Sequence, residues 1–230
     1  HTRGGGRLLE DMFQYPLADV EAVSNRSEAI GYYMDSEESF PFRGAIFDAI
    51  EFYLDNTDTR SQLMQENNTL GRKVKNLVGS DTEYTWIHNG ITGCLEMLNT
   101  LENFLSKSSD HGNKDIADFT GNLKTLLENE KWQWYKREKG KKKINYEQAV
   151  VYDRVFRFEE RDKLRKILYY IYLIDVYMTV ASVSKERHFV RAKAYPTERN
   201  VLKVKGVFHP FLKNPVGNDI EVDQNSNVIF

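Results

Sequence analysis

Between Tyr146 and Arg187 the chain runs for about 40 residues without a proline or a glycine. No other feature constrains the fold as strongly. Apolar residues recur along it at Val151, Val155, Phe158, Leu164, Leu168, Ile171, Ile174, Met178 and Ser182, in steps of three and four with one longer step. That period places them on one helical face. An unbroken helix of this length spans roughly 60 Å, more than the diameter of a compact domain, so the sequence predicts an elongated helical architecture. Ile167 to Val183 is apolar on nearly every side but is only 17 residues long and contains Asp175, with Lys and Arg close by. A helix inside a bundle fits that better than a membrane span, which needs about 20 apolar residues.

The rest of the chain up to about residue 190 reads the same way. Arg7 to Phe13 is a short amphipathic run stopped by Pro16, and Asp19 is placed to cap a helix carrying Val20, Val23, Ala29 and Ile30. Ala45 to Leu54 follows Pro41 as a mostly buried segment. A weaker helix is expected through Leu63, Leu70, Val74 and Leu77. Another begins at a cap on Asp81 and carries Trp86, Ile87, Ile91, Cys94, Leu95, Leu98, Leu101 and Leu105. Ser106 to Asn113 has loop composition, and Ile116, Phe119, Leu123, Leu126 and Leu127 mark the next helix. After Pro196 the pattern changes. Val201 to Lys205 and Ile220 to Asp223 alternate as strands do, Val228-Ile229-Phe230 suits a buried strand, and Gly206, Pro210, Pro215 and Gly217 supply the turns between. The boundary falls near residues 196 to 206, giving a helical domain over 1–199 and a β segment over 200–230.

Composition limits the chemistry. With 230 residues, 40% hydrophobic and 29% charged, the chain has the make-up of a globular domain. Its net charge of −2 confines any polyanion binding to a local patch. One cysteine, Cys94, allows no internal disulfide and suits a reducing cytoplasm. The opening residues contain no apolar leader, and both ends read as the edges of an excised piece. The histidines His1, His88, His111, His188 and His209 lack metal-ligand spacing. The carboxylate pairs Glu37-Glu38 and Glu159-Glu160 are adjacent, so on a helix they are expected to point apart. No Gly-rich phosphate loop is present. The expectation is a segment without catalytic machinery, metal or cofactor of its own. Asp175, surrounded by apolar neighbours, is expected to be satisfied by an Arg or a backbone donor, and His209 to close a strand end.

Three stretches carry a family resemblance. Thr2-Arg3-Gly4-Gly5-Gly6-Arg7-Leu8-Leu9, with Pro16-Leu17 and Val23-Ser24-Asn25-Arg26, is the first. Leu173-Ile174-Asp175-Val176 with Val180-Ala181-Ser182-Val183 is the second. The third is Gly206 to Leu212, containing His209-Pro210, followed by Asn214-Pro215-Val216-Gly217-Asn218-Asp219-Ile220. In this order they resemble the core of the MutS family of DNA mismatch-repair proteins. There a His-Pro, a short loop and a hydrophobic strand lead into a Walker A loop, and Val228-Ile229-Phe230 stands where that strand would be. The resemblance implies a helical core-and-lever module with long lever helices, the first β strands of an ATPase domain at its end, and a parent that is a DNA-dependent ATPase using ATP and Mg. It implies DNA as a partner of the full-length protein, a parent homodimer formed through the ATPase domain, and no membrane. The interval between the motifs is short for a core that also carries a DNA clamp, so the lever is expected to be abbreviated and the clamp reduced. Pro215 and Val216 match the place where many members stack an aromatic ring on adenine, so a nucleotide contact from this stretch would be aliphatic or come from Asn218.

The densest charge feature is Lys136-Arg137-Glu138-Lys139-Gly140-Lys141-Lys142-Lys143, net +5 over eight residues, just after Trp132, Trp134 and Tyr135. The resemblance puts it at the lever tip, where Lys136, Arg137, Lys139, Lys141, Lys142 and Lys143 would meet phosphates. A solvated hairpin between two helices is the plainer alternative. The competing functional reading is an all-helical scaffold with no nucleic-acid role, docking a partner through Tyr169, Tyr170, Tyr172 and Tyr177.

Overall fold

A computed structural model describes residues 1–64, 80–107, 113–139, 144–209, 211–223 and 225. The helices are α1 (Arg3–Gln14), α2 (Val20–Asp35), α3 (Ala45–Asp55), α4 (Ser80–Lys107), α5 (Lys114–Leu127), α6 (Tyr146–Asp153) and α7 (Arg161–Glu186). A π-helical segment, Arg154–Glu159, joins α6 to α7, and 3-10 segments cover Thr59–Ser61, Glu130–Glu138 and Thr197–Arg199. Two strands, β1 (Leu202–Val207) and β2 (Asn218–Val222), pair antiparallel as a hairpin. The chain is mainly helical with a short β segment near its C-terminal end, as the periodicity predicts.

Local chemistry explains most of the helix boundaries. Asp19 Oδ1 accepts the Ala22 N–H at 2.7 Å, starting α2 at the residue the sequence singles out. Asn113 caps α5 through Ile116, and Asn145 and Gln148 form a reciprocal capping box on α6. In α4 the first helical residue is Ser80; the side chain of Asp81, read as its cap, lies outside the described residues. So do Leu70, Val74 and Leu77 of the weaker helix and the strand Val228-Ile229-Phe230.

Three features depart from expectation. Helix α1 begins at Arg3 rather than Arg7, taking all three glycines into its first turn under a cap from Thr2 Oγ1 to the Gly5 N–H at 2.8 Å. The run from Tyr146 to Arg187 is not one straight helix. Its hydrogen bonds shift to a five-residue step in the π segment, where the Glu160 N–H donates to the Val155 carbonyl at 2.8 Å, and α7 starts afresh at Arg161. Strand β2 begins at Asn218, two residues before the predicted start at Ile220, and Asp219 Oδ1 accepts the Gly206 N–H at 2.7 Å. Gly206 has φ +63 there, at the bulge between the Val204 and Val207 pairings, a conformation glycine adopts without strain.

Helix α7 is the centre of the core. It packs on α1, α2 and α5, and α3 packs on α4 across the remainder. Its buried face is the predicted stripe from Leu164 to Met178, extended by Ile167, Val176, Tyr177 and Ala181. The stripe fails at its ends, where Val151 and Ser182 face outward. By length and hydropathy α7 satisfies the requirements for a membrane span, yet it carries buried Asp175 and is sheathed by three helices.

Candidate nucleic-acid interface

The tryptophan-rich lead into the basic run is core. Trp132 and Tyr135 are buried, and the Trp134 ring stacks on Tyr152 with centroids 3.7 Å apart. This anchors the 3-10 segment Glu130–Glu138 alongside α4 instead of leaving it as a free tip. Lys136 Nζ lies 3.4 Å from Glu102, and Lys139 Nζ donates to Asn103 Oδ1 at 3.0 Å. Glu138, inside the run, is buried and accepts the Tyr152 hydroxyl at 2.8 Å. Arg137 is exposed. Lys141, Lys142 and Lys143 lie outside the described residues. Pro215, Val216 and Asn218 are exposed at the loop end of the hairpin, where the Asn218 side-chain amide donates to the Val216 carbonyl at 3.4 Å. His209 follows β1, and its Nδ1 accepts the Phe211 N–H at 3.3 Å. Among the described residues no hydrogen bond or ion pair joins the basic run to Pro215, Val216 or Asn218.

The first two motif stretches, by contrast, meet directly. Asp175, 1% exposed, receives the Thr2 N–H and the Thr2 hydroxyl on Oδ2, both at 2.7 Å, and the Thr179 hydroxyl on Oδ1 at 3.2 Å. The buried carboxylate is thus met by donors from the chain's opening and from the next turn of its own helix. A Cβ on Gly4 would fall inside the Tyr172 ring, and one on Gly5 would collide with Asp175 Oδ2. Glycine at these two positions is what lets α1 lie against α7. Around this contact, Tyr172 donates to Glu51 Oε1 at 2.6 Å, and Arg7 Nη2 bonds the same oxygen at 2.6 Å. Burial first, and then the Glu51 bond, raise the Tyr172 hydroxyl far above its ordinary pKa. Arg26 of α2 reaches the same helix two residues past Asp175. Burial and the neighbouring Asp115 carboxylate push Tyr177 up to about 12, with Arg26 pulling the other way.

Sequence reasoning missed two charged clusters. In the first, Arg157 and Asp153 are both 0% exposed and paired at 2.7 Å. Asp153 also takes the Tyr53 hydroxyl at 2.9 Å and the Leu63 N–H at 3.1 Å, while Arg157 holds Ser61 by its hydroxyl and its carbonyl. The guanidinium sits over Tyr53, Trp86 and Phe158. The available signal was an Asp and an Arg four apart, Asp153 and Arg157, among Tyr152, Val155, Phe156 and Phe158. The second cluster surrounds Tyr195, where Arg199 Cζ lies 4.8 Å and Lys193 Nζ 5.4 Å from the ring centroid. The adjacent carboxylates Glu159 and Glu160 also depart from expectation: they converge on Lys131 Nζ, at 3.2 and 3.3 Å, because the chain bends at Glu160. Among the described residues no three His, Cys, Asp or Glu side chains are gathered to hold a metal ion.

The chain matches no family model, no curated protein and no solved structure.

Proposed function

We propose that this chain is the helical core of a MutS-like DNA-repair ATPase, relaying nucleotide-driven motion of an adjoining ATPase domain to DNA. The observation that carries the reading is the contact between Thr2-Gly4-Gly5 and Tyr172-Asp175. The two stretches most like that family's opening and returning helices lie far apart in sequence and bond to one another through a buried carboxylate. Arg26, the third element of the opening resemblance, meets the same helix at Tyr177. In this reading α7 is the relay. Its C-terminal end continues through residues 188–201 into the hairpin, and its flanks are packed on α1, α2 and α5. A densely packed helix moves as a body, so a displacement applied at the hairpin end reaches the far end of the helix.

The scaffold reading loses its docking stripe. Tyr177 is buried, Tyr172 is bonded to Glu51, and Tyr170 is packed against the core, leaving only Tyr169 of the four half-exposed. The deciding experiment is to read the coding sequence that follows Phe230 in the gene. A Gly-rich loop ending in Gly-Lys-Ser or Gly-Lys-Thr within a short distance is the expected result. A continuation without such a loop removes the proposal.

A further inference from the structure

Charge is distributed unevenly along the chain. Residues 185–205 hold seven Lys and Arg against Glu186 and Glu198, net +5, while the remainder of the chain sums to −7. The described cations of the 136–143 run mostly bond to their own protein. In the 185–205 strip, Arg191 approaches Asp35 at 3.7 Å and Lys203 pairs across the hairpin with Glu221 at 2.7 Å. Lys185, Lys193, Arg199 and Lys205 are exposed and have no carboxylate partner among the described residues. Lys193 and Arg199 are drawn to one ring, Tyr195, itself 39% exposed. Two cations collected at an exposed aromatic face, with no carboxylate partner among the described residues, present an anion with two positive charges and a ring in one place.

The strip is also held in place. The Ser27 hydroxyl donates to the Ala192 carbonyl at 3.1 Å, the Arg191 stem lies across Gly31, and the Arg199 N–H closes a turn onto the Pro196 carbonyl at 3.0 Å. Residues 191–192 are thus tied to α2 and residues 196–199 are closed in a local turn, which lowers the ordering cost of binding at the centre of the strip. We propose that residues 185–205, centred on Lys193, Tyr195 and Arg199, bind the phosphate backbone of a nucleic acid. Nucleic acid alternates phosphates with stackable rings, and this surface alternates cations with an aromatic face. The inference rests on the reading above of a DNA-associated module, and names the surface that module uses.

The test is fluorescence anisotropy of the 230-residue chain with short labelled duplex and single-stranded DNA over a range of salt. Lys193→Glu with Arg199→Glu is expected to weaken binding by roughly tenfold or more and to make the salt dependence shallower by about two phosphate contacts. Tyr195→Leu is expected to weaken single-strand binding more than duplex binding while leaving the salt slope unchanged. Lys124→Glu with Lys166→Glu, reversing two exposed lysines elsewhere, controls for bulk charge. A strip reversal no worse than this control, at an unchanged melting temperature, overturns the proposal. So does a wild-type chain that ignores DNA yet partitions onto phosphatidylserine vesicles. If the wild type binds DNA and the strip reversal is silent, the strip falls and the relay reading is untouched. If the gene lacks the Gly-rich loop but the strip still binds DNA, the relay reading falls and the strip stands.

Discussion

Asp175 sits in the middle of an apolar helix because the start of the chain supplies its donors. Asp175→Ala leaves the Thr2 N–H and hydroxyl without that acceptor and is expected to cost about 3 kcal/mol in urea denaturation. Asp175→Asn, which keeps one acceptor oxygen, is expected to cost distinctly less. The glycines of α1 give a sharper contrast. By helix propensity alone each Gly→Ala exchange stabilises by roughly 1 kcal/mol. Gly6, whose Cβ would meet open space, is expected to follow that rule, whereas Gly5→Ala drives a methyl into Asp175 and is expected to destabilise by about 1–3 kcal/mol. Opposite signs in thermal melts at neighbouring positions are the outcome to look for; equal signs would mean α1 does not lie against α7 as described. Glu160 adds a pH-dependent contribution. Burial raises its carboxyl pKa, but Lys163, Asn129 and Lys131 outweigh this and bring it below its ordinary 4.5. A carboxyl depressed in the folded state stabilises the fold above its unfolded pKa and loses that contribution as pH falls through the folded value. The melting temperature of wild type is therefore expected to fall on acidification below about pH 4.5 more steeply than that of Glu160→Gln.

The elements differ in how openly the sequence declares them. Helix α7 was legible because its apolar face repeats with the helical period over most of its length, and α2 because Asp19 caps it in the expected place. The break before α7 was not, since no proline or glycine marks it. It coincides with tertiary bonds: Arg157 and Asp153 reach residues 53, 61 and 63, and the π segment carries Arg157 toward them. The same bend brings Glu159 and Glu160 together on Lys131, against the reading of two diverging carboxylates. The first turn of α1 was hidden for the opposite reason, because three glycines argue against a helix until the tight approach of α7 is known. Breaking the Asp153–Arg157 pair by Arg157→Met leaves a buried carboxylate with only two neutral donors and is expected to cost about 3–5 kcal/mol. The double variant Asp153→Leu with Arg157→Met is expected to recover part of that loss, because no isolated charge then remains inside. If the two single costs instead add in chemical denaturation, the pair is not coupled.

At the scale of the whole molecule, the helical body and the β hairpin stand on unequal footing. The body has one continuous core running from Ala29 to Ala181. The hairpin has two strands, and Leu202, Phe211, Leu212 and Val216 beside or within it are more than half exposed. A ring contact between Phe208 and Phe189, centroids 6.0 Å apart, joins the loop of the hairpin to the segment that follows α7. Two strands with no covering layer among the described residues are marginal in water. Alternation announced both strands in the sequence, but alternation does not reveal what covers them, so the exposure of their apolar residues was legible only from the fold. The amides of β1 and β2 are therefore expected to exchange hydrogen far faster than those of α7, through local openings that leave the bundle intact. Ending the chain after Asn200 is expected to leave the melting temperature of the helical signal nearly unchanged. A drop as large as that from a core truncation such as Ile171→Ala, about 2–5 kcal/mol, would mean that the hairpin and the bundle unfold as one unit. Independence is what the relay reading requires of this chain: a hairpin that moves with a neighbouring domain has to draw its covering layer from that domain, and so cannot be a fixed part of the bundle's own core.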